Sequence, residues 1–223
     1  MLLLIPLLLT ACDVEIRTEL YFSDAIRVIT DGHDLQVPIT LSLQMPSNEK
    51  CRFYSADIYA VFAKEMVGSN GYRCLSRHFD TYLEIQGKMN LMKIGFAGNV
   101  NISGLAAVGI IPQNANLFQV VLLVSDRVLQ SISQQTRGIV GDQIGDVEPK
   151  ALTVTFHNDH SESVAIGAWA AFVDEKPILR ETVPVQRRDR AVIKASNVHE
   201  AYLKKYQNVQ IFFVEYGSTV TTK

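Results

Sequence analysis

Period-two alternation governs most of this chain. Val14, Ile16, Leu20 and Phe22 are apolar at every second position apart from Thr18, and the residues between them include Glu15, Arg17 and Glu19. Successive side chains of a strand point to opposite faces, so residues 14–22 predict a half-buried strand with one dry and one wet side. Residues 37–43 alternate in the same way, with Pro38 suited to an edge position or a strand start. Residues 152–156 repeat the pattern. Ala106 to Ile111 and Leu117 to Val124 are more strongly apolar around a turn at Pro112-Gln113-Asn114. The run Val120-Val121-Leu122-Leu123-Val124 reads as a strand buried on both faces. Residues 79–103 read as strands bent at Gly87, Gly95 and Gly98, and 164–173, 178–185, 191–194 and 209–216 as further strands.

Helical spacing breaks this pattern in four places. Ser23-Asp24 offers a cap for a short helix through Ile29, ahead of the turn Asp31-Gly32. Ser47-Asn48-Glu49-Lys50 opens a longer one, in which Cys51, Tyr54, Ile58, Val61, Phe62 and Met66 share a face until Gly68-Ser69-Asn70-Gly71. Ser125-Asp126 precedes a helix over 127–135 with Val128, Leu129 and Ile132 inward, and Ser196 begins one that reaches Tyr206. Gly138, Gly141 and Gly145, with Asp142, Asp146 and Pro149, form the clearest boundary. They lack the Lys and hydroxyl of a phosphate loop. The expected fold class is α+β, with two small units of mainly antiparallel sheet, each with packed helices: an N-terminal domain 12–136, a Gly-rich linker 137–149 and a C-terminal domain 150–223.

The chain carries 21 basic and 23 acidic side chains, a formal net charge of -2. That balance lacks the basic footprint of a nucleic-acid binder. Hydrophobic residues at 48% and charged residues at 20% fit an ordinary globular chain.

The first eleven residues, MLLLIPLLLTA, carry no charge, and Asp13, Glu15, Arg17 and Glu19 follow at once. A membrane-spanning helix needs ~20 apolar residues, so the run is too short and reads as the apolar core of a targeting peptide. Its end, Leu9-Thr10-Ala11-Cys12, resembles the lipobox of bacterial lipoproteins. The resemblance implies that residues 1–11 are a signal peptide removed behind Ala11, and that Cys12 takes a diacylglycerol on its thiol and an acyl chain on its new amine. It also implies a membrane-anchored protein facing the periplasm. In enterobacterial lipoproteins an Asp after the lipidated Cys is a retention signal, so Asp13 points to the inner membrane, with the outer membrane as the alternative. Unlike most bacterial signals, the segment has no Lys or Arg before Arg17.

Three cysteines leave one unpaired in an exported chain. Lipidation of Cys12 would resolve the count and leave Cys51 and Cys74 as a disulfide pair. Such a loop would stabilise the fold by roughly 3 kcal/mol in the chain-entropy account. Two buried free thiols are the rival reading, suited to a reducing compartment.

Candidate chemistry is sparse. His157 and His160 flank Asn158-Asp159, a set that could ligate a metal or merely make a turn. His199-Glu200 begins like a zinc-protease helix, but Leu203 stands where the second His belongs. No G-x-S-x-G occurs. Arg187, Arg188 and Arg190 form the densest positive cluster and could touch anionic headgroups or sit on a solvated hairpin tip. The functional expectation is a binding or interaction module at the membrane surface, engaging the membrane through acyl chains and a protein of the envelope. No catalytic residue, metal or cofactor is assigned. A phage- or plasmid-encoded exclusion factor would suit such a chain. The rivals are a lipid or small-ligand carrier, with a cavity lined by strands within 105–124, and an envelope hydrolase.

Overall fold

The computed structural model describes residues 12–95, 100–141, 146–179 and 181–217. Residues 1–11, read above as a signal peptide, the side chains of Cys12 and Asp13, and Gly98, Asp142 and Gly145 lie outside the described residues. Alternation in the first segment becomes β1 (Cys12–Tyr21), with Val14, Ile16, Thr18 and Leu20 buried. It runs directly into α1 (Phe22–Asp31). β2 (Leu35–Met45) follows, and then α2 (Asn48–Ala63), whose Ser47 hydroxyl caps the helix by accepting from the Lys50 N–H. The stop signal predicted at 68–71 is itself the start of β3 (Gly68–Arg77). A bulge there, with Gly71 at φ 115°, lets the strand pair with β4 (Asp80–Lys93).

β5 (Ala106–Asn114) and β6 (Leu117–Val124) form an antiparallel hairpin. α3 (Asp126–Val140) is capped by Ser125 and extends into the predicted linker, whose far end opens β7 (Val147–His157). Two predicted single strands are each broken. Residues 164–173 become β8 (Val164–Ala168) and β9 (Ala171–Val173), separated at Ala170, whose φ is +50°. Residues 178–185 become β10 (Lys176–Ile178) and β11 (Thr182–Val185). β12 (Arg190–Lys194), α4 (Asn197–Tyr206) and β13 (Asn208–Glu215) complete the chain.

The expectation of two small sheet units is overturned. All thirteen strands belong to one sheet, in the order β10-β9-β12-β7-β1-β2-β4-β5-β6-β13-β8-β11 with β3 attached to β4. The joint is the parallel pairing of β1 with β7, which runs from Cys12 beside Val147 to Tyr21 beside His157 and crosses the predicted boundary. Sequence alternation specifies which face of a strand is dry but not which strand lies beside it, and that is why the boundary looked like a domain break. The sheet is curled. β8 pairs with β13 while β9 pairs with β12, so one bent ribbon bridges both ends of the strand order.

One continuous apolar cluster fills the inner face, from Val14 on β1 to Val214 on β13, and takes in Ile58 and Phe62 of α2 and Ile132 of α3. β5 and β6 are dry on both sides. Phe118, Val120, Leu122 and Val124 join the main core, while Val121 and Leu123 pack with Ala107 and Ile94 under Val100 and Ile102. Among the described residues both faces of this hairpin are packed by side chains along most of its length.

Candidate functional site

The wet face of the first strands holds the densest charge arrangement among the described residues. Period two places Glu15 and Arg17 of β1, Ser42 of β2, Tyr82 and Glu84 of β4, and Arg73 and Arg77 of β3 on one side. Register aligns them: Arg73 lies opposite Glu84, Glu84 opposite Ser42, and Ser42 opposite Glu15. Glu84 is buried, with a side chain only 4% exposed, yet it is surrounded by three guanidinium groups. Arg73 donates to Oε1 through Nε at 3.0 Å and Nη2 at 2.6 Å. Arg17 and Arg77 each donate to Oε2 at 2.9 Å. Arg17 also donates to the Ser42 hydroxyl at 2.6 Å, and Arg77 reaches Glu15 at 3.3 Å and lies over the Tyr82 ring.

Burial alone would push the Glu84 carboxyl up. The hydrogen bonds and charge of Arg73, with those of Arg17, more than offset it, and the group titrates below the ordinary carboxylate range. Three positive groups face two carboxylates, so the cluster keeps one excess positive charge. A network of this kind ties β1, β3 and β4 together in one geometry, since each bond fixes both partners.

Beside the cluster opens a groove of about 490 Å³. Glu15, Gln44, Asp80 and Tyr82 form one wall, and Lys150, Phe172, Lys194, Asn197 and Glu200 the other. Its lining thus contains carboxylates, ammonium groups, amides and two aromatic rings. A second groove of about 600 Å³ lies between α3, α4 and the start of β7. Its walls are bridged by Lys204 to Glu148 at 2.5 Å and by Arg137 to Asp146. Neither groove is lined by a histidine or a cysteine.

The other predicted residues fall into separate places. Cys51 and Cys74 are joined in a disulfide that ties the first turn of α2 to β3. The segment after His157, the last residue of β7, is a turn fastened by Asn158 and Asp159. Asn158 is buried and donates through Nδ2 to the carbonyls of Glu162, Val185 and Gln186. Asp159 accepts from the Ser23 N–H at 2.9 Å and its hydroxyl at 2.5 Å, supplying from the end of the neighbouring strand β7 the cap that α1 lacks locally. His157 stacks on Tyr21, and His160 packs at a tilt against Phe22. No group of three His, Cys, Asp or Glu able to hold a metal exists among the described residues.

His199 sits in the capping box of α4, with Nδ1 accepting from the Ser196 N–H at 3.3 Å. Burial holds its pKa below the usual value. Leu203 beside it is core. Arg187 and Arg188 occupy the β11–β12 turn, fastened by Arg188 N–H to the Asn158 carbonyl, and Arg190 opens β12. Arg190 pairs with His157, which pairs with Tyr21. This puts the arginine turn at the far end of a ten-residue strand from Cys12, about 30 Å away.

Arg17, Arg73, Arg77 and Glu84 carry no signal that sequence reasoning could use. Each occupies the wet parity of its strand, where an isolated charge reads as solvated, and Glu84 lies 67 residues from Arg17.

A family model described as a domain of unknown function (DUF7424) matches residues 14–218. The chain belongs to this family. Neither a curated protein nor a solved structure gives a significant match. No helix among the described residues is long and apolar enough to cross a membrane.

Proposed function

We propose that this protein is a cell-envelope lipoprotein, acylated at Cys12, that faces the periplasm and captures a segment of a partner protein at the membrane surface. Asp13, which resembles the retention signal, supports the inner membrane over the outer. The observation that carries the binding reading is the polar groove between Glu15, Asp80 and Tyr82 on one side and Lys150, Lys194 and Glu200 on the other. It lies at the end of the sheet where β1 begins, because Asp80 opens β4 opposite the close of β2 and Lys150 follows the segment paired with Cys12–Val14. Charges of both signs and two aromatic rings on a rigid sheet suit recognition of a mixed-charge peptide segment, with aromatic contacts giving area and charges giving register.

The test is photocrosslinking in cells. A photoreactive residue at Lys194 in the groove should yield one defined adduct with an envelope protein, and the same residue at Lys88, on the distal part of β4, should not. Identical adduct patterns at both positions, or none at Lys194, would refute the groove as the contact. Cys12→Ala, read by loss of palmitate labelling and release from the membrane fraction, tests the anchor separately.

A further inference from the structure

The most exposed large apolar side chains among the described residues lie at one end of the sheet. Among the described residues the three most exposed large ones are Phe79 at 104%, Leu179 at 81% and Phe53 at 75%; Trp169 follows at 57%. They belong to four different connections, yet topology sends all four to the end where β1 begins. Cys12 pairs with Val147 and Val14 with Leu43, so the close of β2 lies there. Met45 pairs with Thr81, and the β3–β4 tip carrying Phe79 projects beyond that pair. α2 starts shortly after Met45 with its Cys51 sulfur 3.8 Å from the Tyr82 carbonyl, which places Phe53 in the same region.

The bent ribbon arrives at this end too. Phe172 pairs with Lys194, Lys194 with Thr153 and Thr153 with Arg17. β9 runs in the direction of β1, so Trp169, just upstream of β9, is level with the beginning of β1. Leu179 follows Ile178, which pairs with Ala171.

Basic groups accompany these side chains. Lys50 and Arg52 flank Phe53 closely in α2, His78 precedes Phe79, and Lys150 and Lys194 stand on neighbouring strands. Glu15, Glu49, Asp80 and Glu200 stand among them as acidic counterweights, and Asp80 accepts a hydrogen bond from Gln44.

We propose that Phe53, Phe79, Trp169 and Leu179 form a rim that dips into the headgroup layer of the bilayer to which the chain is anchored. The proposal rests on the anchored reading above and says how the body is held against that membrane. The occupant is an anionic lipid surface rather than a second protein for three reasons. The apolar run Met1–Ala11 leads into β1 from this end, so the bilayer is adjacent whether the run is kept or replaced by acyl chains. Aromatic side chains prefer the membrane–water interface. Lysine and arginine beside them are drawn to anionic headgroups. The arginine turn 187–190, at the other end of β1, then points away from the bilayer.

Trp169 is the only tryptophan of the chain and serves as the reporter. The full-length protein, purified from membranes, is reconstituted into phosphatidylcholine–phosphatidylglycerol vesicles with and without brominated acyl chains. Trp169 emission should be several-fold weaker in the brominated vesicles. Phe79→Ser combined with Leu179→Ser should remove most of that quenching while leaving thermal unfolding unchanged, because both side chains stand in solvent. Unquenched Trp169 with palmitate on Cys12 overturns the rim and leaves the anchor standing. Quenching with an unlabelled Cys12 supports the rim and removes the acyl anchor. Self-crosslinking between copies through position 79 in vesicles, without quenching, would assign this end to a second copy and overturn the proposal.

Discussion

Replacing Glu84 with glutamine removes one negative charge from among three arginines and leaves the shape of the side chain nearly unchanged. Breaking a buried ion pair from one side costs about 3–5 kcal/mol. Arg73 is mostly exposed and can turn to water, while Arg17 and Arg77 are about two-thirds covered and cannot escape as easily. The lower end of that range, ~3 kcal/mol, is therefore expected at neutral pH. For a domain of this size it corresponds to a fall in Tm of roughly 6–12 °C.

The same reasoning makes a pH prediction. The folded Glu84 carboxyl titrates below its ordinary value of 4.5, so the unfolded chain binds the proton more readily. Stability from this group is then complete above that ordinary value and is lost as pH falls through the lower folded value. Urea unfolding of wild type and Glu84→Gln at neutral, mildly acidic and strongly acidic pH, followed by Trp169 fluorescence, should show the two curves converging in acid. A gap of the same size at neutral and strongly acidic pH would refute the assignment. So would a gap near zero at neutral pH, which would mean that the arginines are as comfortable without their shared carboxylate.

Gly167 on β8 lies under the Phe213 ring, which would stand 1.9 Å from a Cβ placed there. Gly167→Val should therefore cost about 1–3 kcal/mol by overpacking, read as a lowered urea midpoint with unchanged slope. Asn158→Ala strips three carbonyls of their donor and should cost about 2–3 kcal/mol, with raised amide exchange in the 158–163 and 185–188 turns as its local signature. Cys51→Ala with Cys74→Ala should lose about 3 kcal/mol through the opened loop. An unfolding midpoint equal to that of the oxidised wild type would show that α2 and β3 are held by packing alone.

Some of the structure was legible from short windows. The dry faces of β1, β2 and β7 follow from alternation, and the doubly buried β6 follows from the run Val120–Val124. The serine caps at Ser47, Ser125 and Ser196 were also readable, because a cap is a contact among residues three apart. Two segments, 164–173 and 178–185, were nevertheless read as single strands. Neither segment carries a proline or glycine at its break, and only backbone geometry, with Ala170 at positive φ, divides β8 from β9. Glycines 138, 141 and 145 suggested a boundary, yet Gly138 is inside α3 and β7 begins soon after the last of them.

What the sequence by itself determined is therefore local: which residues face water, where helices start, and that Cys51 and Cys74 could pair. Tertiary structure alone decided the rest. The parallel pairing of β1 with β7 merges two apparent units into one sheet, because strand adjacency depends on contacts between residues far apart in the chain. It also decides which loops share an end. Arg187–Arg190 lie at the opposite end of β1 from Cys12, and the connections carrying Phe53, Phe79, Trp169 and Leu179 lie at the end of the sheet where β1 begins. Glu84 could be recognised as buried only after β3 and β1 delivered their arginines, since a lone charge on the wet side of a strand looks the same whether it meets water or three guanidinium groups.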